Sequence, residues 1–293
     1  MTTAFVLSGG ASLAAVQVGM LQALAARDIG PDLLVGTSAG ALNAAFVAGH
    51  GYDAQSLDRL ASLWVGMRRS EIFPLRAPHA LLAVLGRRPS LCSPDRLAAL
   101  LADQLPFSAL EDALIPLHLV ATDLLSGRDS VLTRGDAVSA LLASAAIPGV
   151  FPAVEREGRV LCDGALASGS AIRQAVEAGA DRVYLLPGGT SCALQHAPRH
   201  PLAASLHAVT LLLAQRAFLE AQMYAPHIEL HVLPPLCPLA ISGADFSHAA
   251  ELIARGTATA GAWLDAGHDR AAQPEEVLTL HRHRAADPQA VRS

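Results

Sequence analysis

Short apolar runs that stop at glycine or proline alternate along this chain with longer stretches of helical spacing. Residues 4–7 form an apolar run closed by Ser8-Gly9-Gly10, which predicts a buried strand followed by a tight turn. Leu13, Val16, Met20, Leu21 and Leu24 then recur at the spacing of one helix face, up to Gly30-Pro31. Residues 33–35 predict a second strand, Gly36-Thr37-Ser38-Ala39-Gly40 a turn, and residues 41–48 a helix ended by Gly49. Strand, helix, strand, helix is the grammar of an α/β domain.

Residues 51–110 have a different character. They are helical and loop-rich, broken by Pro74, Pro78, Pro89, Pro94 and Pro106. Trp64, Ile72, Phe73, Leu81, Leu82, Val84 and Leu85 lie among these breaks, and suit either a lid over a site or ordinary packing on a sheet. Strand patterns return at residues 117–121 and 130–133, and a helix over 137–146 runs into Ile147-Pro148-Gly149. A strand at 160–162 ends at Asp163-Gly164-Ala165. A helix at 171–178, a strand at 183–186, a long helix at 201–223, a strand at 228–233 and a last helix at 247–265 complete the pattern. With no internal repeat or linker, the expectation is one domain over residues 4–275 with a helical, cap-like insertion at 51–110. The charged, His-rich end, residues 276–293, is expected to be a disordered tail.

Composition narrows the function classes. A chain of 293 residues buries about three quarters of its unfolded surface, so it needs no disulfide or metal to fold. The net charge is -5, the arginines are scattered and aromatics are only 4%, which argues against a nucleic-acid partner. No basic leader precedes the first strand, and the apolar stretch 202–214 falls short of the about 20 residues that span a bilayer. The expected location is cytoplasmic, with peripheral contact at a membrane surface left open. Cys92, Cys162, Cys192 and Cys237 form no CxxC pair and read as buried or incidental thiols in a reducing compartment. His196 and His200, and His281 and His283, lack a Cys, Asp or Glu at ligand spacing, so no metal and no cofactor is expected.

Three segments carry candidate chemistry. Ser38 stands in a Gly-x-Ser-x-Gly turn, flanked by Gly36 and Gly40, between a strand and a helix. That turn exposes a nucleophile at the edge of a sheet, although a serine there can also simply cap the helix. Gly9, Gly10 and Ala11 follow the first strand directly, where backbone N–H groups are available to a developing oxyanion. A dinucleotide loop fits poorly, because Ala11 and Ala14 occupy places where glycines would be needed. Asp163, followed by Gly164 and Ala165, ends a strand. Such a carboxylate either reaches the edge that carries Ser38 and serves as a base, or closes an Asx turn.

Taken together, these segments resemble the patatin-like phospholipases of bacteria. The resemblance rests on Ser8-Gly9-Gly10-Ala11-Ser12-Leu13-Ala14, on Gly36 to Gly40, on Asp163-Gly164-Ala165, and on Ser144 through Pro152 ahead of the aspartate. It implies a three-layer α/β/α sandwich around a mostly parallel sheet. It also implies a metal-free serine acyl hydrolase acting on lipid esters through a Ser38–Asp163 dyad and an acyl-enzyme, with Gly10 and Ala11 holding the oxyanion. The loop departs from the family pattern at Ala11, Leu13 and Ala14. If Ala11 takes a positive φ, its Cβ costs about 1 kcal/mol, and the chain would be weakly active or a lipid-binding member. The rival enzyme is a Ser-Asp-His hydrolase that draws on His227, His231 or His248.

Overall fold

The computed structural model describes residues 1–75, 77–194, 196–267 and 278. The expected tail at 276–293 lies, but for Leu278, outside the described residues. In chain order the elements are β1 (Thr3–Leu7), α1 (Ala15–Ala25), β2 (Leu33–Thr37), α2 (Ala39–His50), α3 (Ala54–Gly66), α4 (Arg69–Ile72), α5 (Ala77–Val84) and α6 (Asp95–Gln104). They continue with β3 (Leu117–Asp123), β4 (Asp129–Leu132), α7 (Ala137–Ser144), β5 (Val154–Arg156), β6 (Arg159–Asp163), α8 (Ile172–Glu177), β7 (Arg182–Leu186), α9 (Pro201–Tyr224), β8 (Glu229–Val232) and α10 (Ala249–Asp265).

One mixed sheet organises the molecule. Strands β3, β2, β1, β7 and β8 are parallel neighbours in that order, while β4 and β6 pair antiparallel with β3. Strand β1 explains the layering. Phe5 and Leu7 point into a core shared with α1, α2, α3 and α10, whereas Ala4 and Val6 point into a second core under α8 and α9. An all-apolar strand buried on both faces is what a central parallel strand requires. Helices therefore cover both faces, giving the expected α/β/α arrangement.

The short β5 had no signal in the sequence. It hairpins onto β6, with Glu157 and Gly158 between them at positive φ. Strand β6 also runs the other way from a strand of the parallel set. Within residues 51–110, α3 packs against α1, α2 and α10, and α6 against α4 and α7. Trp64 of α3 is buried there rather than held at a surface. Among the described residues no helix is long and apolar enough to cross a membrane.

Candidate active site

The parallel register sets the site. Leu7 lies opposite Gly36, so the loop leaving β1 and the turn leaving β2 emerge side by side at the carboxyl edge of the sheet. That edge is where open α/β sheets carry their ligands.

Strand β6 arrives by an unusual route. Residues 117–120 of β3 pair with β2, residues 119–122 with β4, and residues 121–123 with β6. The overlaps place β4 on one edge of β3 and both β2 and β6 on the other, one after the other. Thr37 pairs with Val120 and Asp163 with Ala121, so β6 descends head-on toward the end of β2 and stops beside Ser38. The sequence places Asp163 at the end of a strand without giving that strand's direction. The strand is antiparallel to β3.

Ser38 sits at φ 55°, ψ -127°, a conformation that side chains other than glycine's rarely adopt. Its side chain does not cap α2, so the simple N-cap role is excluded. The sharp turn needs its glycines: a Cβ on Gly40 would fall 2.2 Å from the Leu7 carbonyl oxygen. Ser144 braces the turn. Its Oγ accepts from the Ser38 N–H at 3.1 Å and donates to the Val120 carbonyl at 2.7 Å.

Asp163 is buried, at 2% exposure. Its Oδ1 accepts from the Ala165 N–H at 2.9 Å, so the Asx turn is present. The other oxygen, Oδ2, is buried with no hydrogen bond of acceptable length and angle. Burial pushes the carboxyl pKa up to about 6, and the Ser38 hydroxyl and the Ala165 N–H hold it down in part. The Ser38 hydroxyl thus acts on the carboxylate without a hydrogen bond of ordinary length and angle. Thr122 fixes the backbone here, donating to the Asp163 carbonyl at 2.8 Å and accepting from Ala167 at 3.1 Å.

The glycine loop is held from below. Gln17 Nε2 donates to the carbonyls of Ser8 and Leu186 at 2.7 and 2.9 Å. Its Oε1 accepts from Asn43 Nδ2 at 2.8 Å, and Asn43 Oδ1 accepts from Trp64 Nε1 at 2.7 Å. Among the described residues the N–H groups of Gly9, Gly10 and Ala11 have no acceptor. Ala11 adopts φ 50°, the positive value at which its Cβ is a cost. A Cβ on Gly9 would lie 3.1 Å from Ser38 Cβ and 3.2 Å from Leu213 Cδ1, so α9 faces Ser38 across this glycine.

The late histidines sit elsewhere. His231, on the outermost strand β8, pairs with Glu229 and stacks on Tyr184. His248, at the start of α10, pairs with Glu251 and Asp245, and His227 is exposed. Among the described residues no histidine bonds Ser38 or Asp163. His196 and His200 are exposed, and among the described residues no group of three or more His, Cys, Asp or Glu could hold a metal ion. Of the four thiols, Cys92 and Cys162 are buried, and folding brings Cys192 Sγ and Cys237 Sγ to 3.9 Å, across 45 residues of sequence.

Sequence reasoning passed over Gln17, Asn43, Thr122 and Leu213, and named Ser144 only as the start of the segment ahead of the aspartate, without a role. A signal existed for two of them, since Gln17 and Asn43 are amides set among apolar residues near the middle of α1 and α2. For Ser144, Thr122 and Leu213 nothing in the local pattern marks the role.

Fold and site together define an α/β/α protein with a serine at a strained strand-to-helix turn and a buried aspartate beside it. The chain belongs to the patatin-like phospholipase family, whose model matches residues 5–176. Uncharacterized NTE family proteins of Mycobacterium tuberculosis (H37Rv and CDC 1551 strains) and Mycobacterium bovis are 33% identical to it over 165 residues, which cover 56% of this chain and 42% of theirs. The match thus spans less than half the length of those relatives. Among solved structures, VipD from Legionella pneumophila aligns at a TM-score of 0.47 and 14% identity, over 90% of this chain and 67% of that one. The type III effector protein ExoU aligns at 0.29 and 21% identity, over 76% and 58%.

Proposed function

We propose that this chain is a lipid acyl hydrolase in which Ser38 is the nucleophile and Asp163 its proton acceptor. One observation carries the reading: a buried carboxylate, its pKa raised to about 6 and Oδ2 unbonded, stands beside a serine strained at a strand-to-helix turn. Structural aspartates satisfy both oxygens, whereas a base near neutral pH must stay ionised and keep a free lone pair. Family membership supplies the lipid ester as the substrate class.

The steps follow from those groups. Ser38 Oγ attacks the ester carbonyl as its proton passes to Asp163 Oδ2. The negative oxygen is met by N–H groups of Gly9, Gly10 and Ala11. The tetrahedral species collapses to an acyl-serine, and the proton on Asp163 leaves with the departing alcohol. Water then repeats the sequence, with Asp163 as base, and frees the acid. No imidazole is required in this reading, because a carboxyl pKa raised to about 6 lies close enough to neutral pH for the carboxylate to take the proton itself.

The test is hydrolysis of a p-nitrophenyl ester by the purified protein. Ser38→Ala and Asp163→Asn are each expected to lower kcat by at least about a thousandfold with the fold intact. Unchanged turnover in Ser38→Ala would sink the assignment. A second reading, lipid binding without turnover, is favoured by the strained Ala11 in the oxyanion loop. Labelling by a fluorophosphonate separates the two, since only an activated serine reacts.

A further inference from the structure

Beside the glycine loop lies a cavity of about 320 Å³. Its floor is the chain from Ser8 to Gly9 and from Pro187 to Gly189; its sides are α9, through Leu213, Ala214 and Ala217, and the segment after β8, through Pro234 and Leu236. Among the described residues none that line it is charged. A second cavity, of about 640 Å³, differs, since Arg68, Arg69 and Asp245 line it. Ser38 does not itself line the apolar cavity, but Gly9 and Leu213 do, and the geometry above sets Leu213 against Ser38 across Gly9.

We infer that this cavity is the binding pocket for the acyl chain of the substrate, and that it accepts a chain of medium length. The inference rests on the acyl-hydrolase reading above. An ester held at Ser38, with its oxygen toward the N–H groups of Gly10 and Ala11, has its chain beside Gly9, the residue that stands between Ser38 and Leu213 and itself lines the cavity. A phosphate would find no cation there to replace its hydration, whereas methylenes find Leu, Ala and Pro. About 30 Å³ is the share of one liquid water, and a methylene needs similar space, so the pocket fills at roughly eight to ten carbons. Each methylene buried up to that length adds about fourfold to binding.

The helix forming one wall is fixed in place. Glu220 of α9 accepts from the N–H of Gly169 at 2.9 Å and of Ser170 at 3.3 Å, just beyond Asp163, and Arg216 donates to the Leu166 carbonyl. A pocket with a fastened wall imposes a length limit instead of widening for longer chains.

The experiment has two arms. In the first, kcat/KM is measured for p-nitrophenyl acetate, butyrate, octanoate, decanoate and palmitate. It is expected to rise to a maximum at octanoate or decanoate and fall at least tenfold at palmitate. Ala214→Phe, which fills the pocket, should lower the octanoate-to-acetate ratio at least tenfold; Ala208→Phe, on the exposed face of α9, should leave it unchanged. In the second arm, decanoate binding to Ser38→Ala protein is followed by calorimetry, with a tenfold loss of affinity expected when Ala214→Phe is added. Ser38-dependent hydrolysis with a flat chain-length profile, or decanoate binding indifferent to Ala214→Phe, overturns the pocket and leaves the hydrolase standing. Decanoate binding without any Ser38-dependent hydrolysis overturns the hydrolase and leaves the pocket.

Discussion

At the scale of the residue, Asp163 and Ser38 both carry a cost that a purely structural role would not require. The carboxyl pKa of Asp163 is raised from 3.8 to about 6. A raised acid is free of penalty at pH below 4, where folded and unfolded forms are both protonated, and carries the full penalty above pH 6, where both ionise. Asp163→Asn keeps the oxygen that accepts from Ala165 and removes the charge. It should therefore stabilise the protein at pH 7 to 8 by up to about 3 kcal/mol, an advantage that shrinks to nothing as pH falls from 6 to 4. Urea titrations at a series of pH values measure this. The same ionisation predicts that kcat/KM rises with pH through about 6 and then levels. Ser38 bears backbone strain in place of electrostatic strain. Ser38→Gly relieves it and Ser38→Ala does not, so the glycine variant should be the more stable by about 1–2 kcal/mol although both are inactive. Equal stability of the two would mean that the turn is unstrained. The Gly-x-Ser-x-Gly spacing made Ser38 legible from sequence. Neither its φ nor the unbonded oxygen of Asp163 was legible, because both depend on neighbours 106 and 125 residues away in Ser144 and the β2–β6 meeting point.

At the scale of the element, helices α1 and α2 do more than cover the sheet. Each carries one buried amide, Gln17 and Asn43, and the two link Trp64 of α3 to the carbonyl of Ser8 beneath the glycine loop. Asn43→Leu leaves the Trp64 N–H and the Gln17 oxygen without partners in an apolar surrounding. The expected cost is about 1–3 kcal/mol of stability, seen as a lower denaturation midpoint with an unchanged m-value. Because Gln17 then holds Ser8 less firmly, kcat should fall more than KM rises. A structural role alone would not produce that split. The apolar periodicity predicted both helices, but a helical pattern names the face that is buried and not the partner of a polar group on it. Strand β6 shows the same limit. Its residues read as a strand, while its direction was set by the tight hairpin from β5, whose three residues carry too little pattern to be seen.

At the scale of the whole molecule, one helix from the last third of the chain closes the site. Helix α9 sets Leu213 against Ser38 and is tied by Glu220 and Arg216 to the segment that follows Asp163. Glu220→Ala strips the acceptor from the N–H groups of Gly169 and Ser170, with an expected loss of about 1–3 kcal/mol. Amide exchange should quicken over residues 166–171 and along α9 while β1 and β2 stay protected; uniform exchange across the chain would show that α9 is no separate unit. The sequence by itself determined the order of the main strands and helices, β5 apart, and the strand-turn-helix setting of Ser38, because these follow from local periodicity and from glycines that a sharp turn demands. Tertiary structure alone decided that β6 meets β2 head-on, that Asp163 keeps one bare oxygen, that Cys192 lies by Cys237 and that α9 overlies the glycine loop. Each of these is a meeting of segments far apart in the chain, and no local pattern of hydrophobic and polar positions encodes which distant surface a segment will find.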